Sequence, residues 1–112
     1  MKRGEIWTAS GGPDYAGKPR PVLLVQDDHF EDMGSITVCP LTTHVIDVDL
    51  VRPTIEPSEE NGLRGTSFAM VDKITTISRG KLGERIGELG SAAMPPINRA
   101  MLVFLGLAGA RG

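Results

Sequence analysis

Apolar and polar positions alternate along most of the chain with a period near two, the period of half-buried strands. Arg3 to Thr8 carries Ile6 and Trp7 at its centre and reads as an opening strand. Pro21 to Gln26, with the run Val22-Leu23-Leu24-Val25, reads as a strand buried on both faces. Its proline takes the first position, where a missing N–H does least harm. Ser35 to Leu41 sets Ile36, Val38 and Leu41 among polar neighbours and is expected to stop at Pro40-Leu41-Thr42-Thr43. Leu50 to Ile55 is interrupted by Pro53, which predicts an edge or a bulge. Thr66 to Val71, Lys73 to Ser78 and Leu82 to Leu89 add short strands, and Asn61-Gly62 and Arg79-Gly80 supply turns.

Only the C-terminus changes period. Ile97, Ala100, Met101, Phe104 and Leu105 recur at helical spacing, Pro95-Pro96 suits a first helical turn, and Gly106 or Gly109 can end it. The pattern predicts one domain over residues 1–112, mainly β with a C-terminal helix (α+β). Its expected form is a small, strongly bent sheet or barrel with the helix packed on it.

Composition narrows this picture. With 40% hydrophobic and 23% charged residues the chain is an ordinary globular one, and 4% aromatics leave the core to aliphatic side chains. A core of this size gains burial by pairing with a second copy, so a homodimer is expected. The single Cys39 cannot close an internal disulfide, and the opening residues lack the apolar run of an export signal. The longest apolar stretch, Ala100 to Leu107, is far short of the roughly 18 residues of a membrane span. A soluble, cytoplasmic protein is expected.

The net charge of −2 argues against a general nucleic-acid coat, but the charges are unevenly placed. Residues 1–26 sum to +2, residues 27–60 to −8 and residues 61–112 to +4. An anionic ligand must avoid the middle stretch, whose acids also fit a plain solubilising rim.

The loop from Ser10 to Pro19 is long and rich in Gly and Pro, a composition found in functional loops. It delivers Arg20 between Pro19 and Pro21, two residues that restrict the flanking backbone and hold the guanidinium in an extended setting. A planar cation with five donors suits a phosphate and the charge of a phosphorane; an exposed arginine before a strand is the plainer reading. Thr42 and Thr43 follow a strand end, where their hydroxyls either donate to a phosphate or close a local turn. Tyr15 can stack a base or cover a barrel mouth, and Lys18 can meet a phosphate. Asp72 can serve as a base or accept from a nucleobase, or form a turn ion pair with its neighbour Lys73. Asp27, Asp28, Glu31 and Asp32 lack the spacing and glycine of a calcium loop, and His29 and His44 lack partners at zinc spacing. Neither a metal nor another cofactor is expected. Cys39, inside a strand, reads as a small buried hydrophobe.

Several segments in order resemble the MazF/PemK family of toxin endoribonucleases. They are Lys2-Arg3-Gly4-Glu5-Ile6-Trp7, Gly17-Lys18-Pro19-Arg20-Pro21-Val22-Leu23 and Pro40-Leu41-Thr42, followed by Asn61-Gly62-Leu63-Arg64 and Met70-Val71-Asp72-Lys73-Ile74. The resemblance implies an SH3-like barrel of the CcdB/PemK type, a homodimer, and metal-independent cleavage of single-stranded RNA, mRNA included, restrained by a cognate antitoxin. It implies 2′-OH attack on the adjacent phosphate, with Arg20 and Thr42 at the family's catalytic positions and Asp72 at a position linked to substrate handling in the PemK branch; Tyr15, Lys18 and Thr43 are expected to bind substrate on their own chemistry. An arginine with a pKa above roughly 12 is a poor base, so Arg20 is expected to stabilise charge and Thr42 to position the phosphate. Met70 departs from the arginine of the PemK branch, and the first loop departs from the common Gly-Ser-Glu-Gln form. The alternative is a CcdB-like toxin of the same fold that binds and poisons DNA gyrase without nuclease activity.

Overall fold

Seven strands precede one α-helix among the described residues of the computed structural model, which are 1–10, 18–45 and 51–108. The strands are β1 (Glu5–Ala9), β2 (Arg20–Leu24), β3 (Ser35–Thr42), β4 (Thr54–Ile55), β5 (Ser67–Ala69), β6 (Thr75–Ser78) and β7 (Leu82–Glu88), and the helix α1 spans Met94–Phe104. They join in the order β4-β5-β3-β2-β1-β7, with β6 also paired to β3, and every pairing is antiparallel.

Strand β3 is the hinge of the sheet. It pairs with β6 from Ser35 to Val38 and with β5 at Leu41 and Thr42. The strand expected over Ser35 to Leu41 runs one residue further, through Thr42. Pro40, which has no N–H to give, falls where the neighbour changes from β6 to β5, and its carbonyl still accepts from Met70 N–H at 2.8 Å. The fifth expected strand is correspondingly shorter: after Ala69 the chain leaves the ladder for a 3-10 turn at Val71–Lys73.

The two faces of the sheet carry two apolar layers, because alternate residues of a strand point to opposite sides. Ile6, Leu23, Cys39, Leu41, Ala69 and Val71 pack with Ile97 and Ala100 of α1. Ala9, Val22, Leu24, Ile36 and Val38 form the other layer, flanked by Trp7, Ile77 and Leu82. Burying a side chain such as Leu23 contributes about 1.5–3 kcal/mol, and no aromatic ring is among the most deeply buried side chains.

The predicted helix starts at Met94 with Pro95 and Pro96 in its first turn, and Gly106 ends it in a Schellman turn in which Leu107 N–H donates to Leu102 O at 2.8 Å. The Asn61-Gly62 turn also forms. Gly62 has φ +69°, and a Cβ there would lie 2.4 Å from the Ile86 carbonyl oxygen, so β7 admits only glycine at this contact. Asn61 is buried and braces the turn, accepting from Ser58 and Leu63 N–H and donating to Glu56 O. No helix among the described residues is long and apolar enough to cross a membrane.

Candidate active site

Arg20 opens β2 and Thr42 closes β3. The β2–β3 register sets Val22 against Pro40, Leu23 against Cys39 and Leu24 against Val38. Carried two residues further, the same register sets Arg20 against Thr42, and directly opposed residues project from the same face. That face is the one away from α1, which also bears Ala9, Val22 and Val38. Arg20 and Thr42 consequently line one groove of about 810 Å³, together with Ser10, Pro40, Met70, Lys73, Thr75, Thr76, Ile77, Ser78 and Lys81.

The electrostatics of the groove differ from those of the chain. Arg20, Lys73 and Lys81 contribute three cations, and no described lining residue is a carboxylate or a histidine. Ala9 and Val38 give the groove an apolar base, while hydroxyls come from Ser10, Thr42, Thr75, Thr76 and Ser78. A surface with cations and hydroxyl donors around an apolar base suits a phosphodiester carrying nucleobases. Thr42 Oγ1 accepts from His44 N–H at 3.1 Å. That contact is a local turn, and it leaves the hydroxyl proton available to donate, so it fixes the side chain without consuming its donor.

Lys18 and Thr43 are exposed next to Arg20 and Thr42 in the chain but are not among the groove-lining residues. Tyr15 lies outside the described residues. Asp72 is also absent from the lining; its carboxylate accepts from Arg52 Nε and a terminal guanidinium nitrogen at 3.0 and 3.1 Å. The turn pair with Lys73 that the sequence suggested is replaced by a bidentate one across 20 positions, because Arg52 is buried to 8% exposure and needs a counter-charge. Hydrogen bonding to Arg52 holds the Asp72 carboxyl below its usual range, against the opposing pull of burial. Burial, with a smaller contribution from Asp72, pushes the Cys39 thiol up to about 12, so it stays protonated and unreactive at neutral pH.

Three acids of the sequence's acidic cluster have structural partners. Asp27 caps the 3-10 turn at Asp28–Phe30 by accepting from His29 N–H, Asp28 accepts from Arg3 N–H, and Glu31 pairs with Lys2 at 2.8 Å. Lys73, Lys81 and Arg52 were missed as functional candidates, since their placement depends on strand pairing rather than on any local motif.

Comparison with known proteins bears on this geometry. The family profile described as the PemK-like, MazF-like toxin of type II toxin-antitoxin systems matches residues 2–105. The chain belongs to this family. A probable endoribonuclease MazF of Mycolicibacterium smegmatis is 49% identical over 109 residues, covering 97% of this chain and 100% of that protein. Among solved structures, a mycobacterial endoribonuclease in complex with its cognate antitoxin superimposes with a TM-score of 0.80 at 26% identity, covering 96% of each chain. The Mycobacterium tuberculosis toxin MazF-mt6 gives a TM-score of 0.79 at 28% identity, covering 92% of this chain and 97% of its own. The expected mainly β fold of the CcdB/PemK type with a C-terminal helix is thus the fold observed.

Proposed function

We propose that this PemK/MazF-family chain, a single toxin domain over residues 1–112, is the toxin of a type II toxin-antitoxin pair and a metal-independent endoribonuclease on single-stranded RNA, mRNA included. The observation that carries the reading is the meeting of Arg20 and Thr42 in one cationic groove. In the proposed reaction the substrate 2′-oxygen, its proton passing to solvent, attacks the adjacent phosphorus, the P–O5′ bond breaks, and the departing 5′-oxygen takes up a proton from solvent, which leaves a 2′,3′-cyclic phosphate and a 5′-hydroxyl. The guanidinium of Arg20 neutralises the charge that grows on the phosphoryl oxygens and hydrogen-bonds the departing 5′-oxygen. The Thr42 hydroxyl donates to a phosphoryl oxygen and holds the phosphate in line. No described lining residue is positioned as the proton acceptor for the 2′-OH. Lys18, Thr43 and Tyr15 are assigned to the flanking nucleotides.

The proposed partners follow from the same surface. A cognate antitoxin with an acidic, extended segment suits a groove whose described charged lining residues are all cations. Homodimerisation is supported by the apolar end of α1, where Leu102, Val103, Phe104, Leu105 and Leu107 are exposed. The proposed location is the cytoplasm, where mRNA is met. Gyrase poisoning is the less favoured reading, since it makes no use of Arg20 beside Thr42.

The test is incubation with a mixed-sequence single-stranded RNA in EDTA and mass analysis of the new ends. Fragments ending in cyclic phosphate and 5′-hydroxyl are expected. Intact RNA together with stalled gyrase would contradict the proposal.

A further inference from the structure

Resting on the ribonuclease reading, we infer that Lys73 and Lys81 are phosphate contacts on the two flanks of the groove, either side of Arg20 and Thr42, and that Asp72 acts as a positioning residue for Lys73 through Arg52. The groove is bounded by different elements around its rim. Arg20 and Thr42 stand on β2 and β3. Ala9 faces both Arg20 and Leu82 across its two neighbouring strands, so Lys81, just before Leu82, lies about two strand spacings, roughly 10 Å, from the Arg20 backbone. The contact Ser10 N–H to Lys81 O at 3.1 Å ties this end of β7 to the end of β1. Lys73 approaches beyond β3, next to Met70, which donates to Pro40 O. A strand of RNA whose scissile phosphate sits at Arg20 and Thr42 therefore meets a cation on either side of it.

Lys73 differs from an ordinary surface lysine in how its backbone is held. It ends the 3-10 turn Val71–Lys73, where Lys73 N–H donates to Met70 O at 2.9 Å and Val71 N–H to Val51 O at 3.0 Å. Between these two residues the Asp72 carboxylate takes both Arg52 donors, and Arg52 is buried. A short turn with a bidentate anchor at its centre has one orientation, and Lys73 inherits it. Removing the carboxylate releases the turn and leaves a buried guanidinium without its counter-charge.

The experiment measures kcat and KM on a short single-stranded RNA over a range of salt concentrations. The proteins are wild type, Lys73→Ala, Lys81→Ala, Asp72→Asn and the double variant Lys73→Ala/Asp72→Asn. Each lysine variant is expected to raise KM about fivefold with kcat nearly unchanged, and to reduce the slope of log(kcat/KM) against log salt by about 0.7. Asp72→Asn is expected to raise KM in the wild-type background and to add nothing once Lys73 is gone, the non-additivity of residues acting through one another. If wild type does not cleave, the ribonuclease reading fails rather than this one. If wild type cleaves and a lysine variant keeps the full salt slope, that lysine is not a phosphate contact. A full Asp72→Asn effect in the Lys73→Ala background would overturn the positioning role.

Discussion

Asp72 shows why a residue's chemistry is set by its partner. In the sequence it sits beside Lys73 and reads as a base, a nucleobase acceptor or half of a turn pair; in the fold it is the counter-ion of a buried arginine. Because hydrogen bonding to Arg52 depresses its pKa, the folded protein binds fewer protons than the unfolded chain near the ordinary carboxylate value. The stability this gives is present above that value and lost as the pH falls through the folded one. Glu5 behaves alike: burial raises its carboxyl, but the Trp7 indole hydrogen bond and neighbouring cations outweigh that and leave it lowered. Denaturation midpoints are therefore expected to fall steeply below about pH 4, and Asp72→Asn to lower the midpoint at pH 7 while flattening the acid limb. An unchanged acid limb in that variant would contradict the assignment. Arg20 and Thr42 were legible as residue types and were paired only through the family resemblance, because their meeting follows from a register that no local spacing encodes.

At the scale of elements, the opening segment of the family resemblance, Lys2 to Trp7, turns out to be a fastening. Arg3 donates through Nε to Val25 O at 2.9 Å and through a terminal nitrogen to Asn98 Oδ1 at 2.6 Å, joining the start of β1, the end of β2 and α1. Gly4, at φ +95°, turns the chain so that its N–H reaches Leu24 O and its carbonyl takes Leu89 N–H. The Arg-Gly-Glu-Ile-Trp opening thus marks the fold, and the reacting groups come afterwards. The strands were legible from alternation and the helix from its period; the fifth strand ends after Ala69 and the sixth begins at Thr75 because the 3-10 turn Val71–Lys73 stands between them. The Asn61-Gly62 turn was readable as well, and Gly62→Ala is expected to destabilise by about 2 kcal/mol or more in chemical denaturation, since it adds a Cβ against the Ile86 backbone at a positive φ. A loss under about 0.5 kcal/mol would show that β7 yields at this contact.

The whole molecule separates its charges. Among the described acids of the middle stretch, Asp27 caps a turn, Asp28 accepts from Arg3 N–H and Glu31 pairs with the Lys2 side chain, and the described charged residues that line the groove are all cations. A protein of net charge −2 can in this way present a locally positive site, which net charge by itself would have argued against. The exposed apolar end of α1 lies at the edge of the opposite layer, formed with Arg3 and Asn98 into a small apolar cleft. Sedimentation equilibrium is expected to give twice the 12.0 kDa chain mass, and Leu105→Asp to shift the species toward monomer. A wild-type monomer at micromolar concentration would contradict the dimer. The pairing partner of that surface was not legible in the helical period, which reports only that one face is apolar.

The central claim is that Arg20 stabilises the charge of RNA cleavage in the groove it shares with Thr42. Its most direct measurement is the single-turnover rate on single-stranded RNA in EDTA for wild type, Arg20→Lys and Arg20→Ala, with folding checked by thermal melting. The account predicts unchanged melting, a loss of about 10²–10³-fold for Arg20→Ala, and partial activity for Arg20→Lys, which keeps a charge but not the planar fork. Cleavage by Arg20→Ala within tenfold of wild type would contradict it.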